Sequence, residues 1–239
     1  MLAALLAAHA LGDFVFQSRR DVEQKSRPAI LLKHSAIHAG VAYVLVGLPS
    51  AWPIPLIILL THLAIDAIKT RTARANLRSF IIDQLAHIAV IIAIAAFYSR
   101  APELPPSIWS DLFGDTYPVA MVWVAGFVFA VRAGAFFVDF AVLPFLEQID
   151  LENRPVERIR GLREGGRTIG QLERALIFVF VLIDQFTAIG FLIAAKSIFR
   201  FGELRERGNR MEAEYIIIGT LISFLWAIVI ALVTRAALP

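Results

Sequence analysis

The chain has 239 residues, of which 58% are hydrophobic and 18% are charged, and its formal net charge is +3. In a soluble domain about a quarter of the residues are charged and long apolar runs are absent. The composition therefore argues against a soluble domain. The chain contains no cysteine, which excludes disulfides, thiolate metal ligands and cysteine nucleophiles. Apolar runs of about 17–25 residues recur throughout, the length of a membrane-crossing helix and not of a barrel strand. We therefore predict an all-α integral membrane protein.

The apolar runs predict about seven transmembrane helices. In chain order these lie at 2–17, 30–48, 54–70, 80–98, 117–138, 172–196 and 214–235. We expect the first run to be a retained span and not a signal peptide, because it has no basic start and carries His9 and Asp13 within its apolar part.

Two domains are expected from this order. Residues 1–98 form a four-helix membrane domain, and residues 117–239 form C-terminal membrane helices with a cytoplasmic loop at 147–171. Within the first domain, 1–48 and 54–97 align as a tandem repeat of two helical hairpins. The aligned pairs are His9 with His62, Asp13 with Asp66, His34 with Asp83, and His38 with His87.

Basic residues set the expected orientation. The loops after the first and third helices are rich in lysine and arginine, and such loops stay in the cytoplasm, so the N-terminus should lie outside. The loop at 196–210 is also basic, yet seven straight spans would place it outside. In one alternative, residues 172–200 instead form a re-entrant hairpin that turns near 184–190, since irregular backbone is tolerated at membrane depth when protein buries it.

Each of the first four helices carries two polar residues spaced four apart. The pairs are His9 and Asp13, His34 and His38, His62 and Asp66, and Asp83 and His87. Residues at this spacing share one helix face. The pairs include all 5 histidines of the chain.

Depth suggests that three of these pairs meet. With Arg19, Arg71 and Arg78 marking the cytoplasmic boundary, the aspartates of the first, third and fourth helices lie roughly 8 Å deep and the histidines roughly 14 Å deep. The fourth helix runs in the opposite direction, and its order is reversed to Asp-then-His. We expect a deep layer of imidazoles and a shallow layer of carboxylates, with His34 and His38 nearer the cytoplasm.

Imidazole and carboxylate groups together suit zinc, iron, manganese or nickel, and we expect one or two divalent ions per chain. The preferred ligands are His9, His62 and His87, completed by Asp13, Asp66 or Asp83. His34 and His38 are further candidates. Gln17, Lys69 and Gln84 are expected to orient ligands or contact substrate. Two alternatives stay open, namely a proton relay without metal and polar contacts that only hold the helices together.

Three functions fit such a site. The first is a metal-dependent hydrolase at the cytoplasmic face, in which Asp66 serves as general base and Lys69 neutralises charge on a lipid-linked or phosphate-containing substrate. The second is a metal-ion or proton-coupled transporter, and the third is a structural membrane protein. Membrane lipid is the expected partner, while nucleic acid is not, and no glycine-rich nucleotide-binding motif is present.

The C-terminal third has its own polar residues within apolar surroundings. Glu173 with Arg174, and Lys196 with Glu203 or Glu214, are candidate ion pairs. One explanation for these charged residues is that their side chains reach toward the membrane surface. The alternative is a basic pocket for a phosphate or lipid head group.

The motifs of the first four helices resemble the bacterial membrane family of unknown function number 3307. They are H-x3-D-x3-Q from His9, H-x3-H from His34, H-x3-D-x2-K from His62 and D-Q-x2-H from Asp83. Lys25 belongs to the same pattern. The segments G-x-LER from Gly170, AKS from Ala195 and EY-x3-GT from Glu214 are similar to an extension found in longer members. The resemblance implies a multi-pass protein of the bacterial inner membrane and no established reaction.

Overall fold

The computed structural model describes residues 1–72, 74–100, 107–151, 165–207 and 210–239. In these ranges every regular element is helical, which confirms the all-α class. The helices are α1 (Leu2–Phe14), α2 (Arg19–Glu23), α3 (Pro28–Val46), α4 (Pro53–Thr72), α5 (Leu77–Tyr98), α6 (Ile108–Phe113), α7 (Thr116–Val128), α8 (Gly134–Leu151), α9 (Gly165–Leu182), α10 (Phe186–Arg207) and α11 (Arg210–Ala236). A 3₁₀ turn at Pro49–Ala51 precedes α4, and a π-helical turn at Phe129–Ala133 joins α7 to α8.

Five helices in the described ranges are long and apolar enough to cross a membrane. They are Pro28–Val46, Pro49–Thr72, Leu77–Tyr98, Thr116–Leu146 and Ala213–Ala236. The apolar helices Leu2–Phe14 and Phe186–Ile198 are shorter. These lengths fit a multi-pass membrane protein, while the count of seven spans and the tandem repeat stay predictions.

The described chain forms two compact units, Met1–Val128 with Ala237–Pro239, and Phe129–Ala236. The border lies beyond the expected loop at 99–116, because α7 packs along α1 within the first unit. Residues 101–106 of that loop and residues 152–164 of the expected cytoplasmic loop lie outside the described residues.

In the first unit, α1, α3, α4 and α5 form a closed ring. Helix α1 packs against α3 and α5, and α4 packs against both α3 and α5. Pro28 occupies the first turn of α3, where its missing N–H is not needed, and Gly47 ends that helix in a left-handed conformation (φ +62°). The Asn76 side chain caps α5 by accepting a 2.8 Å hydrogen bond from the Ser79 backbone N–H. Polar residues inside this ring therefore face one another.

The end of α3 is held by side chains from the segment around α6. Ser107 Oγ donates a hydrogen bond to the Val46 carbonyl at 2.8 Å, and Trp109 Nε1 donates one to the Val44 carbonyl at 2.6 Å. The Tyr117 hydroxyl donates to the Leu45 carbonyl. These bonds satisfy carbonyls that a helix end leaves without an intrahelical partner.

In the second unit, α9 and α8 pack against α11, and α10 packs against α9. The chain turns at residues 183–185, where Asp184 adopts a left-handed conformation (φ +60°). This turn divides the expected sixth span into α9 and α10, at the place where the re-entrant alternative puts its bend. The apolar part of α10, Phe186–Ile198, is shorter than a membrane-crossing helix.

Candidate metal centre

The polar pairs of α1, α3, α4 and α5 converge inside the ring of the first unit. All the imidazole rings are buried, with exposures of 2–4% for His9, His34, His38, His62 and His87. Asp66 is 1% exposed and Asp83 is 5% exposed. Ionisable groups at this depth in an apolar helix bundle need partners of opposite charge or a bound ion.

Asp13 lies at the centre of the first group. One of its carboxylate oxygens, Oδ1, is 3.1 Å from His34 Nε2, 3.1 Å from His38 Nε2 and 3.8 Å from His62 Nε2. Ligand atoms on a tetrahedral zinc ion at about 2.0–2.1 Å are separated by roughly 3.3 Å, so these distances approach the edges of such a tetrahedron. The four residues could together hold one metal ion.

A second group consists of His62, Asp66 and His87. Asp66 Oδ2 is 3.5 Å from His62 Nε2, and Asp66 Oδ1 is 3.9 Å from His87 Nε2. The Nε2 atoms of His62 and His87 are buried and have no hydrogen-bond partner in the described part of the chain. His62 belongs to both groups, but its Nε2 has one lone pair and can bind only one ion at a time. The four-residue group around Asp13 is therefore the more complete site.

The other predicted site residues lie around these groups. His9 Nε2 lies 3.1 Å from Gln84 Oε1, outside both groups, and the Gln84 amide donates a 2.9 Å hydrogen bond to Asp13 Oδ2. Gln84 thus joins His9 to Asp13. The Nε2 atom of Gln17 is buried without a hydrogen-bond partner among the described residues.

Two lysines neutralise the remaining carboxylates. Lys25 Nζ lies 2.8 Å from Asp66 Oδ2, and Lys69 Nζ lies 2.7 Å from Asp83 Oδ2. Burial disfavours the charged form of Lys25, but the carboxylates of Asp13, Asp66 and Asp83 outweigh it and raise the pKa of this ammonium. Asp13 has no lysine or arginine at ion-pair distance within the described ranges.

Lys25 reaches the site because of the short helix α2. Ser18 and Asp21 cap this helix reciprocally, and Lys33 Nζ on α3 donates a 2.9 Å hydrogen bond to Asp21 Oδ1 within an ion pair. Lys25 follows the first span, so its position along the helices did not predict that it reaches the site. Its place in the family pattern was the available signal.

The site is layered along the helices. On one side the carboxylates of Asp66 and Asp83 contact Lys25 and Lys69. On the other side a cavity of about 20 Å³, room for about one water molecule, lies among apolar side chains and the imidazoles of His9, His38, His62 and His87. The structure places His38 in this deep layer, contrary to the expectation that it lies nearer the cytoplasm, because its ring stacks on His62 at 3.7 Å between centroids.

Gly12 on α1 makes room for His38. A Cβ at position 12 would lie 2.4 Å from Cε1 and 2.5 Å from Nε2 of the His38 ring. The ring cannot move aside easily, since its other face packs on His62. The absence of a side chain at Gly12 is thus part of the site's construction.

The helices are those of a multi-pass membrane protein, and the first unit adds a buried His/Asp cluster that could hold a metal ion. Residues 1–107 match the family model described as "Protein of unknown function (DUF3307)", and this confirms for that part of the chain the membership that its motifs predicted. No curated protein and no solved structure matches the chain. The family description names no reaction, so function has to be argued from the site.

The site predicts one bound divalent ion per chain. His34→Ala and His62→Ala should each lower the metal content of the purified protein by at least about tenfold, because each removes one of four ligands around the ion. Thr61→Ala is the matched control, since Thr61 lines the same cavity but bonds through its hydroxyl to the Ile57 carbonyl of its own helix and lies outside both ligand groups. Elemental analysis of the purified variants, with thermal unfolding to check folding, measures this. Equal metal content in all variants, or two ions per chain, would contradict the one-ion site.

Gly12→Ala should destabilise the protein by about 1–3 kcal/mol, the usual cost of overpacking, and should also reduce metal content by displacing His38. Gly40→Ala is the control, because nothing lies within 4 Å of a Cβ at position 40. That variant should be neutral or up to about 1 kcal/mol more stable, since alanine favours helix over glycine. Unfolding in a denaturing detergent measures both, and equal stabilities would refute the contact.

Proposed function

We propose that the chain is a metal-dependent membrane hydrolase that acts on a lipid-linked or phosphate-containing substrate. One observation supports this most. The four-ligand group around Asp13 lies beside Asp66 and His87, a carboxylate and an imidazole that the ion does not require. Hydrolysis needs both an electrophilic site and a neighbouring base.

Zinc, iron or manganese held by Asp13, His34, His38 and His62 would polarise a phosphoryl or acyl oxygen and lower the pKa of a water molecule. Asp66 then serves as the general base that accepts the proton of the attacking water. Lys25 keeps this carboxylate ionised and fixes one of its oxygens, at 2.8 Å. His87 Nε2 lies 3.9 Å from the other oxygen, where it can take part in proton transfer.

Lys69 is suited to contact the substrate. Its side chain is 33% exposed, while Asp83, its partner, is buried, so the ammonium stands at the edge of the site. A cation there offsets negative charge that develops on a phosphate or ester oxygen. The substrate would therefore enter from the lysine side. Gln84 and His9 hold Asp13 in place through a chain of hydrogen bonds, and Gln17 has a free amide donor for the substrate.

The transporter alternative is less favoured by the first unit. Beyond the histidines, toward the turn at Pro49–Ala51, the buried interior of the ring is an apolar cluster. Its members are Ala4, Leu5, Ala8, Ala42, Val46, Leu48, Ala51, Ile54, Ile58, Ile91 and Ile94. An ion or proton leaving by that side would lose all polar contacts, which is costly in an apolar interior.

The same proposal includes the membrane arrangement. The chain lies in a bacterial inner membrane with its N-terminus outside, which places the lysine side of the site toward the cytoplasm. Membrane lipid surrounds the helices and is the source of the substrate, and nucleic acid is not a partner. Helices α9 and α10 form a re-entrant hairpin about the turn at residues 183–185, so that both flanking basic segments stay cytoplasmic.

Asp66→Asn should lower hydrolysis by about 10²–10⁴-fold, the usual contribution of a general base, while the metal content stays close to that of the wild type. The assay follows release of phosphate or fatty acid from phosphomonoester, phospholipid and acyl-ester substrates by protein loaded with zinc, manganese or iron. Asp111→Asn, an exposed Asp-to-Asn change on α6, is the control and should keep full activity. Turnover that survives in Asp66→Asn refutes the assigned base. Absence of turnover in metal-loaded wild type, with metal flux in sealed vesicles, supports the transporter instead.

The proposed membrane arrangement predicts which side of the membrane residues 26, 99 and 237 face, and thiol labelling can test this. The chain has no cysteine, so each variant carries a single thiol. In intact cells a membrane-impermeant maleimide should label Ser99→Cys and Ala237→Cys, at exposed positions outside, and should label Ser26→Cys only after permeabilisation. Seven straight spans would instead place residue 237 in the cytoplasm, so labelling of Ala237→Cys only in permeabilised cells rejects the hairpin.

A further inference from the structure

The second unit contains a polar cavity of its own. It has a volume of about 280 Å³ and lies among α8, α9, α10 and α11. Its polar lining includes Arg167, Glu173, Arg174, Lys196, Tyr215 and Ser223. Nothing in the metal site or in the proposed hydrolysis uses these residues.

Arg174 is the main feature of this cavity, and it is only 3% exposed. Its Nη1 donates a 2.8 Å hydrogen bond to Ser223 Oγ, and its Nη2 donates a 3.1 Å hydrogen bond to the Val131 carbonyl. Both acceptors are uncharged, and no carboxylate of the described residues forms an ion pair with this guanidinium. A buried cation without a counter-ion is costly, so an anion in the cavity would complete the site.

The unit is built to hold this arginine in place. Val131 belongs to the π-helical turn Phe129–Ala133, and its carbonyl also lies 3.3 Å from Arg174 Nε. Trp226 Nε1 donates a 3.0 Å hydrogen bond to another carbonyl of the turn, that of Phe129. A Cβ at Gly134 would lie 2.7 Å from Trp226 Nε1 and 2.9 Å from Arg174 Cδ, so the glycine gives space to both side chains. Such turns are often found at functional sites.

Two further cations line the cavity. Lys196 pairs with Glu173 and is 15% exposed, while its predicted pairing with Glu203 involves a side chain outside the described residues and that with Glu214 stays a prediction. Arg167 is 29% exposed, and its Nη2 lies 3.9 Å from Asp139. With Arg174, the lining holds three cations against two carboxylates, so its net charge is positive. The Tyr215 hydroxyl and the Ser223 hydroxyl add neutral hydrogen-bond groups.

This set of groups matches a phosphate. A guanidinium presents paired N–H donors at the spacing of phosphate oxygens, and lysine adds a point charge. The cavity lies beside the start of α9, the start of α11 and the later part of α10, which flank the arginine-containing segment 147–171 and the basic segment 196–210. Lipid phosphates of the cytoplasmic leaflet lie at the level where such segments are expected.

We propose that this cavity binds a phosphate group, carried by a membrane lipid head group or by a soluble phosphate ester, with Arg174 as its buried cation and Lys196 and Arg167 at its mouth. The proposal does not depend on the metal centre or on hydrolysis. It assigns a ligand site to the part of the chain that follows the family match.

The test uses the full chain purified in a neutral detergent. Native mass spectrometry and thermal unfolding follow titrations with phosphatidic acid, with phosphatidylcholine and with inorganic phosphate. We expect saturable binding of one phosphatidic acid and much weaker binding of phosphatidylcholine, whose choline shields the phosphate. Displacement of the lipid by millimolar inorganic phosphate would indicate a soluble phosphate ester as the ligand, and its absence would indicate the lipid head group.

Arg167→Gln, Lys196→Gln and Arg174→Lys should each weaken binding by about tenfold or more, because a lost charge-assisted hydrogen bond is worth about 1.5–3 kcal/mol. Arg174→Lys retains the buried charge, which guards against misfolding. Arg235→Gln is the matched control, since Arg235 pairs with Asp184 near the other end of α11, and this variant should bind as the wild type does. The proposal is overturned if neither phosphate source binds saturably, or if Arg235→Gln weakens binding as much as Arg167→Gln.

Discussion

The structure of the first unit depends on how three buried carboxylates are neutralised inside an apolar ring of helices. Asp66 and Asp83 each have a lysine at ion-pair distance, whereas Asp13 has imidazoles and an amide around it. An ionised carboxylate in a low-dielectric interior needs a nearby positive charge, and no lysine or arginine of the described residues lies at ion-pair distance from Asp13. The Asp13 group is therefore the place in this unit where a cation would do most to stabilise the fold, and its donor atoms already stand at ligand spacing.

The two units bury charged side chains of opposite sign. The first gathers carboxylates and imidazoles, and its polar centre suits a cation. The second buries Arg174 against neutral acceptors, and its cavity suits an anion. In both units a glycine lets the polar side chain approach, Gly12 beside His38 and Gly134 beside Arg174. Small residues at helix contacts thus serve here to admit polar side chains as well as to bring backbones close.

Much of this site could be predicted from the sequence, because a spacing of four residues and the direction of each helix are enough to place His9, His62 and His87 in one layer and the carboxylates in another. The grouping of ligands could not be predicted, since it depends on the rotation of each helix about its axis. For that reason His38 lies in the deep layer and His9 bonds to Gln84. The role of Lys25 in the site could not be predicted from its position in a loop, where a basic residue ordinarily indicates only the orientation of the helices in the membrane.

The fold shows the same division between pattern and context. Apolar length predicted the helices of the first unit well, because α3, α4 and α5 each run uninterrupted between polar ends. It left the stretch 172–196 open between a single span and a re-entrant hairpin, and the chain turns at residues 183–185. Asp184 tolerates the left-handed conformation that this turn requires, and hydropathy contains no term for it.

Helix α2 has a consequence for how the protein comes apart. It is a single short turn of helix outside the ring, held by its own cap and by the pairing of Asp21 with an exposed lysine. Short peripheral helices ordinarily open at low free energy, well before a core melts, but α2 is coupled to the buried site. Opening α2 would withdraw Lys25 and leave Asp66 as a buried charge without its partner, at a cost of about 3–5 kcal/mol. This short peripheral helix and the buried Asp66 carboxylate are thus joined in one cooperative unit, so that opening at the surface would change the electrostatics of the centre.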